Sequence, residues 1–177
     1  MGDFEPKKVS FATLISEEIK SRKDLREQYK IPPNQRPYTW KDDVVENFWI
    51  DLLDSIEFKK EIFFGTILIN NSGLEKKHYL EVIDGQQRIT TMTILASVLR
   101  DMINKVGSWK GNSEQDECKK LAAQICENLI YKVYKEKKAD GQKYKVPHYF
   151  LNIANPDFKK YIQDSAYTEN LGVIPAD

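Results

Sequence analysis

Residues 83–92 read IDGQQRITTM. This block sets an acid (Asp84), a glycine (Gly85), two amides (Gln86, Gln87) and an arginine (Arg88) between a strand-like apolar run and a segment of helical periodicity. A strand that ends in Asp-Gly and flows into a helix exposes the helix's first free N–H groups. Together with the positive end of the helix dipole they form an anion site, and phosphate is its usual guest. Gly85 lets backbone and ligand approach closely. Arg88, about one turn in, offers a bidentate fork to phosphate oxygens, and Thr90 completes the candidate phosphate set. Gln86 and Gln87 can donate to phosphate or orient a water. Asp84 can hold the Mg²⁺ that accompanies nucleoside phosphates, or poise a water. The catalytic candidates are therefore Asp84, Gln86 and Gln87. No GxxxxGK[ST] loop is present, so this is not a P-loop protein. The competing reading is plain capping, with Asp84 at the helix start and Gln86, Gln87 and Arg88 as its solvated first turn.

A second segment of the same character tilts the balance. In IPPNQRPYTW, Gln35 and Arg36 stand on a loop stiffened by Pro32, Pro33 and Pro37, beside Tyr38 and Trp40. Two Gln-Arg pairs on rigid supports can converge on one phosphate-bearing ligand. For Trp40, core packing is the better reading.

The elements that must position these residues follow from periodicity. Ser10 is placed to cap a first helix to about Lys20, with Phe11, Leu14, Ile15 and Ile19 on one face. The prolines after Tyr29 to Ile31 predict a short strand and then an extended loop. Thr39 or Asp42 can cap a helix whose inward face reads Val45, Phe48, Trp49, Leu52, Leu53 and Ile56. IFFGTILIN and HYLEVID predict two strands, antiparallel because the turn-rich NSGLEKK between them is short. Apolar spacing from about Gln87 to Asn104 predicts a long helix. GSWKGNSEQDE breaks that helix and can start another, with Leu121, Ile125 and Leu129 facing inward. A lysine-rich second hairpin turns at Asp140-Gly141, and Asn155-Pro156 starts a last helix. The whole predicts one compact α/β (α+β) domain with a small sheet and a strand–DGQQR–helix core.

Composition bounds the function. Lys+Arg and Asp+Glu are both 27 in 177 residues, so no whole-domain positive field draws in nucleic acid and any such contact needs a local patch. The longest apolar runs fall well short of the ~20 residues that span a membrane, and the N-terminus lacks a signal-peptide core. No membrane partner is expected, and a reducing cytoplasm is the expected setting. Cys118 and Cys126, eight positions apart, are too far apart on a helix for a disulfide and lack histidines for a zinc set.

The motifs together resemble one known family. Ile31, Pro32, Gln35, Arg36, Tyr38 and Trp40, then Phe64, Gly65, Thr66, Ile67 and Leu68, then Ile83 to Met92 are similar to the N-terminal domain of GmrSD-type modification-dependent restriction enzymes. KYKVPHYFLNIANPDFKKYI resembles that family's late strand and helix, and the match runs from about residue 10 to 165. The resemblance implies a ParB/sulfiredoxin-like fold that binds and hydrolyses nucleoside triphosphates with Mg²⁺, the DGQQR segment lying at the nucleotide. It also implies a bacterial defence system that cuts phage DNA carrying modified bases. Asn34 departs from the residue common in that family. The HNH-type nuclease domain that completes such enzymes has no counterpart among these residues, so a partner subunit or a longer chain is expected to supply it, and DNA is expected to be met through that partner. Two further readings stand beside nucleotide hydrolysis. One is a nucleotide-gated interaction switch without turnover. The other is DNA recognition by Lys132, Lys135, Lys137, Lys138, Lys143 and Lys145 of the hairpin, although lysines there also serve to protect exposed strand edges.

Overall fold

The computed structural model describes residues 6–11, 13–14, 29–70, 79–137, 142–153, 155 and 157–163. Strand β1 (Tyr29–Ile31) leads to helix α1 (Asp42–Phe58), strands β2 (Leu68–Asn70) and β3 (Leu80–Asp84), and the long helix α2 (Gln86–Gly107). Helix α3 (Asn112–Ile125) runs into a π turn at Cys126–Ile130. Strands β4 (Tyr131–Lys137), β5 (Lys143–Tyr149) and β6 (Leu151–Ile153) and a last π turn (Phe158–Gln163) complete the order. The protein is thus α+β, as its periodicities predict, with helices around a small four-stranded sheet.

That sheet has the order β2-β3-β1-β6. β1 is parallel to both β3 and β6, with Tyr29 opposite Leu80 and Leu151, while β2 runs antiparallel to β3. Along β1 the side chains alternate, with Tyr29 fully buried and Ile31 buried on the core face and Lys30 half-buried on the other. Tyr29, Ile31, Leu80, Val82, Ile89 and Leu151 form the main core, each large apolar side chain contributing about 1.5–3 kcal/mol by burial. A second cluster, Ala96, Cys126, Ile130 and Tyr131, joins α2 to the π turn and the foot of β4.

The functional consequence lies in the strand directions. Because β1 and β3 are parallel neighbours, the proline loop after β1 and the DGQQR block after β3 leave from the same edge of the sheet. In open α/β sheets that carboxyl edge is where ligands bind.

Several expectations need correction. The helix from Asp42 buries no residue. Phe48 and Leu52 are half-buried, whereas Val45, Trp49, Leu53 and Ile56 are exposed. Periodicity shows that a helix has an apolar face, but not that the fold has a partner for it. Neither Thr39 nor Asp42 caps α1. Lys41 holds the cap position with no side-chain bond, and Asp42 and Asp43 lie in the first turn, where they favour the dipole. The strand predicted over residues 62–70 is confined to Leu68–Asn70 because Gly65 takes a left-handed φ of 96°. Leu121 faces solvent, and Ala122 and Cys126 take the inward positions of the α3 segment. Trp40 is half-buried and packs on Phe48 in an aromatic row with Phe64 and Phe11, beside the main core rather than in it. Ser10 caps its turn by accepting the Thr13 N–H, and Asn155 Oδ1 accepts from Asp157 and Phe158. The rest of the first helix, the turn at residues 71–78, Asp140-Gly141 and Pro156 lie outside the described residues.

Candidate functional site

Gly85 starts α2 with φ 86° and ψ 8°, and no side chain caps the helix there. A non-glycine residue would be strained at that φ. It would also collide, since a Cβ would lie 3.0 Å from Ile67 Cα and from the Thr66 carbonyl. The close approach that Gly85 permits is therefore to the 66–67 backbone. Asp84, one residue before, is exposed at the end of β3.

The two glutamines of the block hold the proline loop against the first turn of α2. Gln86 Nε2 donates to the Arg36 carbonyl at 3.2 Å. Gln87 Nε2 donates to the Pro37 carbonyl at 2.9 Å while its Oε1 accepts the Thr39 N–H at 2.8 Å. Gln35 Nε2 reaches back to the Ile83 carbonyl at 3.3 Å. The Tyr38 hydroxyl pairs with Thr91 Oγ1 at 3.0 Å, and the Thr91 hydroxyl donates to the Gln87 carbonyl at 2.8 Å. Distant segments are thus brought to one place, and the amide side chains are the fasteners. Gln86 Oε1 differs from the rest: it is buried and accepts no hydrogen bond. A buried acceptor left unmatched costs about 1–3 kcal/mol.

The arginines are placed differently. Arg88 is half-buried and donates to the Thr66 carbonyl at 3.1 Å, its guanidinium lying over Gly65 where a Cβ would come within 2.5 Å of Nε. It is held on a second loop, with donors to spare from its five N–H groups. Arg36 is exposed, and only its carbonyl enters the clamp. Thr90 is buried on the inner side of α2. Sequence reasoning gave Gly65 and Thr66 no contact at the site and read Thr39 only as a candidate cap; their parts here are played by backbone and leave no side-chain signal.

A second polar group lies deeper along α2. Arg100, fully buried, donates from Nε and Nη2 to both carboxylate oxygens of Asp101, at 2.7 and 3.1 Å, and from Nη2 to the Ile162 carbonyl at 3.2 Å. Burial opposes its charge, but the Asp101 carboxylate outweighs that and raises the guanidinium pKa. Burial pushes the neighbouring Cys126 thiol up despite Arg100, and Tyr131 is raised by burial and by Cys126. Cys118 and Cys126 are both free thiols.

Among the described residues no group of three His, Cys, Asp or Glu is placed to hold a metal ion, and no helix is long and apolar enough to cross a membrane. The family model for the GmrSD restriction endonuclease, N-terminal domain, matches residues 13–174. The chain belongs to this family. It is accordingly a component of a restriction system. No curated protein matches it.

Proposed function

We propose that this GmrSD-family chain is a nucleoside-triphosphate-binding regulatory domain of a modification-dependent DNA restriction system, and that it hydrolyses the nucleotide. The observation that carries this reading is the uncapped start of α2 at the carboxyl edge of two parallel strands, with the unmatched Gln86 Oε1 beside it. Phosphate oxygens take the free N–H groups of the first turn. Arg88, steadied by Thr66, and Arg36, on the clamped loop, supply the cationic forks. Gly85 admits the turn, and Gln35 and Thr90 support the loop and the helix behind it. Gln86 Oε1 accepts from a ligand donor or from the attacking water. Gln87, its amide committed to Pro37 and Thr39, positions the loop.

A lone exposed carboxylate fits Mg²⁺ delivered by a triphosphate, because that ion is bound through one or two carboxylates plus phosphates. Asp84 would hold it, and the ion would neutralise charge developing on the phosphates. The commitment of the Gln87 amide favours a second reading, a nucleotide-gated interaction module without turnover, since it removes one of three catalytic candidates. In either reading, the output passes to an HNH-type nuclease domain or subunit. Calorimetric titration with each of the four nucleoside triphosphates and Mg²⁺ tests the site. Binding of at least one is expected, and binding of none overturns it. Binding without phosphate release selects the gated module.

A further inference from the structure

Helix α1 has two apolar faces, and the fold uses one of them. Phe48, Leu52 and Ser55, at i, i+4 and i+7, are half-buried and turn towards the body of the protein, where Phe48 meets Trp40 and Phe64. Val45, Trp49, Leu53 and Ile56 lie on the adjoining face and are exposed, Ile56 to 66%. At about 3.6 residues per turn these four fall within about 80° of arc, so they form one stripe along the helix. No other described helix or strand packs broadly against α1, which buries no residue. Single exposed apolar side chains are ordinary on a protein surface, whereas a continuous stripe marks a contact site.

Charge says what kind of partner fits. The helix carries Asp42, Asp43, Glu46, Asp51, Asp54 and Glu57 and no basic residue, and all these acids are exposed. Asp42, Glu46 and Glu57 border the stripe by the same helical spacing. Asp51, Asp54 and Glu57 follow at steps of i, i+3, where like charges destabilise a helix. Glu57 also lies in the last turn, where the dipole favours cations and no basic residue is present. Lys41, Lys59 and Lys60 lie beyond the ends, Lys60 over the Phe58 ring. No ion pair of the described residues engages the acids of α1. A face kept only for solubility mixes both signs, and this one does not. A second copy of the helix would bring like charges together, and nucleic acid or an anionic lipid surface is repelled for the same reason. The helix is about 25 Å long and about 10 Å wide, a strip far smaller than the ~800 Å² per partner of a standard interface. Its shape and charge suit one cationic helix laid alongside.

We infer that the outward face of α1 is a docking site for a basic amphipathic helix of a partner protein. The partner's apolar residues cover Trp49 and Leu53, and its lysines and arginines pair with the bordering acids. Recognition of a helix through anchors at i, i+3, i+4 and i+7 is a general binding mode. The inference does not rest on nucleotide binding at α2. The probe is a fluorescein-labelled peptide of about 17 residues, the length of α1, with leucines on one helical face and lysines on the rest. Anisotropy titrations with the full chain should show saturable binding of this peptide. Trp49→Ser combined with Leu53→Ser should weaken it by about tenfold or more. Glu46→Gln combined with Glu57→Gln should weaken it and lower its dependence on salt. Nucleotide titrations should be unchanged in both variants, and the same peptide with glutamate in place of lysine should not bind. If circular dichroism shows that the serine pair does not fold, Ile56→Ser alone is used, with a loss of about threefold expected. Four results overturn the inference: no binding of the lysine peptide, equal binding of the glutamate peptide, unchanged affinity in folded variants, or sedimentation showing a dimer that Leu53→Lys dissociates, which makes a second copy the occupant.

Discussion

Gln87 holds Pro37: its Nε2 donates to the Pro37 carbonyl at 2.9 Å across fifty residues of sequence. The same amide accepts the Thr39 N–H at 2.8 Å, so one side chain fixes the loop that carries Arg36. Gln87→Ala removes both bonds and leaves two backbone groups unmatched. A loss of about 2 kcal/mol is expected, read as a lower urea midpoint at unchanged slope. A loss below about 0.5 kcal/mol, the size of an ordinary surface substitution, would show that the clamp does not hold the loop.

The two left-handed glycines should respond differently. Gly85→Ala drives a Cβ to 3.0 Å from the backbone at Ile67 and Thr66, which cannot yield. Gly65→Ala meets the Arg88 side chain, which can swing away. Each pays backbone strain of about 1–3 kcal/mol, and Gly85→Ala should cost more by thermal denaturation. Gly65→Ala should instead weaken nucleotide binding by displacing Arg88. The reverse ordering of stabilities would remove the 66–67 backbone as the reason for Gly85.

How far the sequence revealed this arrangement differs from residue to residue. The strand–DGQQR–helix junction was legible because strand and helix periods change at Gly85. Both Gln-Arg pairs stood out by residue type. Their meeting was not legible, since it depends on the parallel pairing of Tyr29 with Leu80, a contact between residues far apart in the chain. Nor was the exposure of Trp49 and Ile56 on α1, because an apolar stripe says nothing about what is available to cover it. The seat of Arg88 on Gly65 and Thr66 is a matter of backbone, invisible to side-chain pattern.

Alkaline pH should destabilise the fold through the Cys126–Tyr131 pair. Both groups have pKa values raised above their ordinary 9.0 and 10.0, mainly by burial. The unfolded chain therefore ionises first, so their contribution is complete below about pH 9 and is lost as pH rises. Arg100 stays charged in both states across this range and adds no slope. Urea midpoints from pH 7 to 11 should be level and then fall from about pH 9. Tyr131→Phe should flatten the part above about pH 10. An identical alkaline limb in that variant would remove Tyr131 from the account.

Asp84→Asn separates binding from turnover. The carboxylate is exposed at the end of β3, so the change should leave stability within about 0.5 kcal/mol. Most nucleotide affinity should remain, with phosphate release largely lost. Unfolding of the variant, with unchanged activity per folded molecule, would make Asp84 a structural residue.

Arg36 and Arg88 test whether two loops serve one ligand. Arg36→Ala should leave stability almost unchanged, because that side chain is exposed. Arg88→Ala should cost about 1 kcal/mol through its bond to Thr66. Each should weaken nucleotide binding, by about 1.5–3 kcal/mol if the contact is charge-assisted. Residues sharing one network couple by about 0.5–3 kcal/mol, whereas independent sites add to within about 0.3–0.5 kcal/mol. Calorimetry on both single variants and the double variant should therefore show a double loss that departs from the sum. Simple additivity would mean separate anchors. The proline loop would then serve stability alone through Gln86 and Gln87, and the start of α2 would hold its phosphate without Arg36.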